Sequence, residues 1–172
     1  MRDIKFRAKA LCDNEFVYGD IIHYNRDPRR EKWVIQEPET GIGSDVDEDT
    51  IGQFTGMKDK NGKEIYEGDV VRWVELRCDD DLTEPSSYFF REETSIVNFE
   101  NGIFGVKNED VFDVLPLCYL TENYFTSDQD FTEEDFKEAL GYCNMQNPPR
   151  SLKDIYMVEV VGNKYDNTDM LE

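Results

Sequence analysis

Two Gly-Asp steps are the first residues to test for chemistry. "IYEGDVVRW" at residues 65–73 sets Gly68 and Asp69 in front of a β-branched run, and "VYGDIIHY" at 17–24 echoes it with Gly19 and Asp20. A carboxylate beside a flexible glycine can serve as a general base, hold a cation, or accept backbone N–H groups in a turn. The first two roles need partners, and no base, nucleophile or basic anchor is arranged with either step. The third role needs none: the glycine supplies a positive φ or a bulge, the aspartate locks the turn, and Val70-Val71 or Ile21-Ile22 start a strand. Both steps are therefore read as one strand-launching device used twice.

The other chemistry-bearing residues are scattered. Residues 39–50, "ETGIGSDVDEDT", offer Asp45, Asp47 and Asp49 for calcium, but the ligand order of an EF-hand loop and its flanking helices are missing, so this stretch reads as an acidic loop. "DKNG" at 59–62 has part of a metal-loop pattern, with lysines that oppose a divalent cation; Asn61-Gly62 reads instead as a tight turn. Glu133 and Asp135 form a carboxylate pair of a kind that 39 acidic residues produce by chance. His23 is the only histidine, and Cys12, Cys78, Cys118 and Cys143 form no Cys-x-x-Cys pair. A zinc site, a redox motif and a multi-histidine relay are all excluded by spacing, and reduced thiols are expected. No catalytic, cofactor-binding or metal-binding residue is assigned, and no cofactor is expected.

The elements that must position these groups are mostly strands. Aromatic residues make up 13% of the chain, enough to anchor a packed core. "IKFRAKALCDNEFVYGDIIHY" alternates about an Asp13-Asn14 turn and predicts a hairpin, with Phe6, Ala8 and Ala10 on one face. "WVIQEP" is a short strand ended by Pro38. In 70–76, Val71 and Trp73 face one way and Val70, Val74 and Leu76 the other, as in a sheet covered on both sides. Residues 77–93, "RCDDDLTEPSSYFFREE", read as a long charged loop, with Tyr88, Phe89 and Phe90 able to tuck back. "TSIVNFENGIFGVKN" predicts a hairpin through a type I′ Asn101-Gly102 turn, and "DVFDVLPLCYL" continues extended and bends at Pro116. One helix is expected near residues 132–144: Thr132 caps it, Glu133, Glu134 and Asp135 fill its first turn, and Phe136, Ala139, Leu140 and Cys143 form one apolar stripe. "IYMVEVVGNKYDN" supplies a last strand.

Taken in order, "IKFRAK", "FVYGDIIHY", "IGQFTGMKDKNGKEIYEGDVV", "VNFENGIFGV" and "VEVVGNKYDN" resemble the YopX family of phage and prophage proteins, from about residue 4 to residue 167. The resemblance implies a mainly β (β-rich α+β) protein with an SH3-like barrel element in its C-terminal part, built from a strand near Ile65, the 95–106 hairpin and a closing strand at 157–161. Two regions are then expected: an N-terminal β hairpin region at 1–54, and a C-terminal SH3-like β region at 55–172 with a loop insertion at 77–93 and a helical insertion at 119–154. The family brings no established activity, so no site residues transfer.

A net charge of −20 repels phosphate backbones, so nucleic acid is not an expected partner. No apolar run reaches membrane-span length, and the start "MRDIKFRAKA" lacks the apolar core of a secretory signal, so a cytoplasmic location in a bacterial host and no membrane partner are expected. The favoured function is a non-enzymatic protein-interaction module whose unknown partner is basic. Self-association through sheet edges or hairpins is open. The alternatives are an acidic nucleic-acid mimic that blocks a basic host protein, or a carboxylate-based enzyme.

Overall fold

The computed structural model describes residues 3–25, 31–79, 87–108, 112–121, 132–146 and 148–167. Its strands are β1 (Phe6–Lys9), β2 (Phe16–Tyr24), β3 (Lys32–Gln36), β4 (Gly43–Val46), β5 (Gly52–Lys58), β6 (Glu64–Tyr66), β7 (Asp69–Asp79), β8 (Ser87–Ile96), β9 (Asn98–Glu100), β10 (Ile103–Asn108), β11 (Phe112–Pro116) and β12 (Glu159–Asn163), and its one helix among the described residues is α1 (Glu133–Gly141). The mainly β class expected from glycine-punctuated alternation is what the chain adopts.

The strands pair antiparallel in three sheets, ordered β4-β3-β2-β1-β5-β6, β11-β10-β9 and β12-β7-β8. The first sheet curls so that its β4 edge meets the end of β1. Ala10 bridges Val46, the Leu11 N–H donates to the Asp45 carbonyl, and the Asp47 N–H donates to the Lys9 carbonyl. Ala8, Ile35 and Val46 fill the inside of the curl. The 39–50 stretch is thus not all loop: β4 and a 3-10 turn at Glu48–Thr50 lie within it. The boundary expected between residues 54 and 55 falls inside β5, which pairs with β1 on one side and β6 on the other.

The two smaller sheets share one core. Val71 and Trp73 of β7, Phe104 and Val106 of β10, and Leu117 and Leu120 of a 3-10 turn at Leu117–Leu120 are all buried in it. The chain crosses between these sheets at Val97, which is fully buried. Where the resemblance implies a barrel element, the described residues form two three-stranded sheets over a common core. The Asn101-Gly102 turn has positive φ at both residues, 53° and 86°, and pairs Glu100 with Ile103, as a type I′ hairpin requires.

Residues 77–93 differ from expectation. β7 and β8 form an unbroken ladder from Val70↔Ile96 to Asp79↔Ser87, so 77–79 and 87–93 are strand; residues 80–86 lie outside the described positions. Charge concealed a period-two pattern. Tyr88 and Phe90 face inward with Leu76, and α1 packs on them through Phe136 and Ala139, with the Phe90 and Phe136 rings 5.4 Å apart. Thr132 caps α1 in a capping box with Asp135, as expected, but the helix stops at Gly141 rather than near 144, and Leu140 of the expected stripe is exposed.

Gly19 also differs from its expected role. It lies inside β2, opposite Phe6, and a Cβ there would sit 2.1 Å from the Gln36 carbonyl oxygen. Asp20 is exposed in mid-strand, paired with Gln36. The Gly19-Asp20 step thus permits close strand approach and does not launch a strand. Gly19→Ala should cost about 1–3 kcal/mol from overpacking against backbone, measured by urea unfolding. Gly62→Ala, whose Cβ meets nothing within 4 Å, should cost no more than the roughly 1–2 kcal/mol of a left-handed alanine. Equal stability of Gly19→Ala and the parent would contradict the packing described.

Candidate functional site

The Gly68-Asp69 step does launch β7. Gly68 has φ +82°, its N–H donates to the Val97 carbonyl, and the Tyr66 N–H donates to Asp69 Oδ2 at 2.8 Å. The unexpected partner is Arg7. Its Nη1 lies 2.6 Å from Asp69 Oδ1, and both side chains are almost wholly buried. Arg7 Nη2 donates to the Glu67 carbonyl, and the guanidinium lies 4.7 Å from the Phe16 ring centre and 5.0 Å from that of Tyr66. Burial pushes the Asp69 carboxyl above its ordinary range, and Arg7 pulls it back. Both Asp69 oxygens accept from donors, so the geometry is that of a carboxylate. With both oxygens engaged and no solvent access, this pair is built to join elements. Its neighbours extend the seam: Lys9 pairs with Asp166, and the Tyr66 hydroxyl donates to Glu64, which also receives Lys5 Nζ at 2.6 Å.

Most of the remaining acidic groups have separate partners of their own. Asp59 is buried, and its carboxylate accepts the N–H groups of Asn61, Lys63 and Val160, so it locks the Asn61-Gly62 turn and ties it to β12. Asp47 accepts from the Asp49 N–H, Asp45 pairs with Lys32, and Glu48 accepts from the Trp33 indole. Asp135 serves the α1 cap, and the Thr132 backbone N–H holds its carboxyl below the ordinary range. His23 stacks on Trp33 at 3.9 Å with Nε2 2.8 Å from Glu31. Among the described residues no three His, Cys, Asp or Glu side chains are grouped to hold a metal, and none of the four cysteines forms a disulfide.

The concave surface lies elsewhere, on the outer face of the β12-β7-β8 sheet. A groove of about 800 Å³ is lined by Arg72, Val74, Glu92 and Glu159 of the sheet, by Lys60 and Asn61, and by Met145, Pro149, Arg150 and Asp154. Across the strands runs a line of alternating charge. Lys60 Nζ lies 2.8 Å and Arg72 Nη2 3.3 Å from Glu159 Oε2, and Arg72 Nη1 lies 4.0 Å from Glu92. The Lys60 hydrogen bond, outweighing burial, holds the Glu159 carboxyl below its ordinary value of 4.5. Sequence reading missed this groove and the Arg7 seam because each joins residues far apart in the chain.

A family model described as YopX protein matches residues 5–137. A search of the curated proteins finds no match. Among solved structures, the crystal structure of protein EF1440 from Enterococcus faecalis aligns over 100% of both chains at 20% identity, with a TM-score of 0.45. No helix among the described residues is long and apolar enough to cross a membrane.

Breaking the buried pair on one side leaves a charge without its counter-ion. Arg7→Met or Asp69→Ala alone should each lower unfolding free energy by about 3–5 kcal/mol. The double variant should lose less than the two summed, and an additive urea-unfolding cycle would refute the coupling. Glu159 gives a pH signature. Its folded-state carboxyl is lowered, so its contribution is present above about pH 4.5 and is lost as pH falls through the folded value. Glu159→Gln should therefore flatten the fall in stability below pH 4.5, measured as the urea midpoint at successive pH values; an unchanged slope would count against the lowered value.

Proposed function

The chain belongs to the YopX family, and from that starting point we propose that it is a non-enzymatic protein-interaction module, encoded by a bacteriophage or prophage and acting in the cytoplasm of its bacterial host. The observation that carries this reading is the imbalance of charge, 39 acidic residues against 19 basic ones. A field of that sign speeds encounter with cationic surfaces and rejects anionic ones. The acidic residues that could have been reactive support the same reading through their positive roles. Asp69 joins β1 to β7, Asp59 joins the 59–63 turn to β12, and Asp135 caps α1. The groove on the outer sheet face adds a concave surface on which a partner could be held.

A nucleic-acid mimic would share the acidic field, so the experiment must separate the two. The full chain is immobilised and exposed to bacterial host lysate at about 0.15 M salt, beside a control protein of equal charge. The module reading expects a discrete basic protein that the control does not retain, released by raised salt and left in place by added duplex DNA. Displacement of that protein by duplex DNA would favour the mimic, and identical proteins on chain and control would overturn specific recognition altogether.

A further inference from the structure

We propose that Asn101-Gly102 is a site of spontaneous covalent modification, at which the Gly102 backbone nitrogen attacks the Asn101 side-chain amide, while the fold protects the identical Asn61-Gly62 step. The proposal goes beyond the interaction-module reading and does not rest on it. The chemistry needs only water. Gly102 gives up its amide proton, its nitrogen bonds to Asn101 Cγ, and ammonia leaves, closing a succinimide ring. Water then opens the ring. Attack at Cγ leaves an ordinary aspartate; attack at the main-chain carbonyl leaves an isoaspartyl link, in which the chain runs through the side chain. Nothing is oxidised or reduced. Asparagine is a thermolabile residue, and a following glycine hinders ring closure least because no Cβ stands beside the attacking nitrogen. The sequence holds two Asn-Gly steps, Asn61-Gly62 and Asn101-Gly102.

Exposure does not separate the two steps: both lie in tight turns, and all four residues are exposed. Hydrogen bonding does. The Gly62 N–H, which would supply the nucleophile, donates to the Asp59 carbonyl at 2.9 Å. The Asn61 N–H donates to Asp59 Oδ1 at 2.8 Å, and the Asn61 side-chain amide donates to Glu159 Oε1 at 3.4 Å. Asp59 is buried and tied to β12 through the Val160 N–H. The attacking nitrogen and the leaving amide are thus both held by groups that the rest of the fold fixes. At the other step, neither the Gly102 N–H nor the Asn101 side chain has a hydrogen-bond partner among the described residues. Only the hairpin restrains Asn101. A type I′ turn fixes its backbone, so ring closure waits for the turn to open. That opening is local, because β9 has three residues, lies at an edge of its sheet, and meets β10 in a ladder of three pairs.

The modification has a structural result. An isoaspartyl link adds a methylene to the main chain inside a two-residue turn, which displaces the Glu100↔Ile103 pair. The next pair is Phe99↔Phe104, with ring centres 4.9 Å apart, and Phe104 is buried in the core that the two smaller sheets share. Conversion at Asn101 therefore loosens that core from its hairpin end.

The test ages the full chain in mildly alkaline buffer, once folded and once in denaturing urea, and follows its chymotryptic peptides by mass spectrometry. Cleavage after Phe54 and Tyr66, and after Phe99 and Phe104, puts the two steps on separate peptides. In urea both should convert at rates within threefold of each other. In the folded chain Asn101 should convert at least tenfold faster than Asn61, and water enriched in the heavy oxygen isotope should leave its label on the Asn101 peptide. Asp59→Ala, checked for folding by circular dichroism, should raise the folded Asn61 rate at least threefold and leave the Asn101 rate unchanged. Equal rates at the two steps in the folded parent, faster conversion at Asn61, or no conversion at Asn101 would overturn the proposal, whatever Asp59→Ala does to folding. The isoaspartyl chain, separated by anion exchange, should unfold at lower urea than Asn101→Asp, which carries the same charge on an unaltered main chain. Equal midpoints would overturn the loosening of the core.

Discussion

The buried ion pair between Arg7 and Asp69 is the constraint on which the rest of the molecule depends. A guanidinium removed from water is tolerable only where a carboxylate, a carbonyl and aromatic faces replace the lost hydration, and all of these converge here. Arg7 comes from β1. Asp69 stands at the first residue of β7, aimed by the turn that Gly68 permits. The pair therefore fixes how the curled first sheet meets the sheets that follow, in register and not merely in proximity. Apolar packing alone would allow small slides between these layers; a single charge-matched geometry does not.

A second set of polar joints holds the later sheets. Asp59 reaches from its turn to the Val160 N–H, the Lys60 N–H donates to the Val158 carbonyl, and the Tyr156 N–H donates to the Val74 carbonyl. Together they hold the 59–63 turn to the start of β12 and the segment before β12 to the β7 edge that β12 pairs with. The groove is the result. Its walls stand where they do because backbone groups are satisfied there, and its floor is the part of the β12-β7-β8 face that neither α1 nor the main core covers.

Legibility in the sequence followed the range of the interaction. Local signals were readable: positive φ at Asn101 and Gly102, the turn at Asn61-Gly62, the Thr132 cap, and the two-sided burial of β7 were all visible in residue types and spacing. Non-local effects were not. Gly19 looks like Gly68 in sequence, yet its reason is the backbone of β3 lying against it, which no local window contains. The far ends of β7 and β8 looked like loop because Arg77, Asp79, Arg91 and Glu92 outweigh the alternation of Tyr88 and Phe90. Arg7 and Lys9 read only as the polar neighbours of Phe6, Ala8 and Ala10, and become interior when residues from 66 onward and from 163 onward fold over them.

The contact between Lys9 and Asp166 spans 157 positions. During synthesis at about 5–20 residues per second, the first strand is made roughly eight to thirty seconds before the segment that covers it exists. Throughout that interval its basic side chains face a growing, strongly acidic nascent chain in which many carboxylates can engage them transiently. The seam around β1 therefore cannot close before Asp166 has been made, and the segment that carries it performs that closing step of assembly.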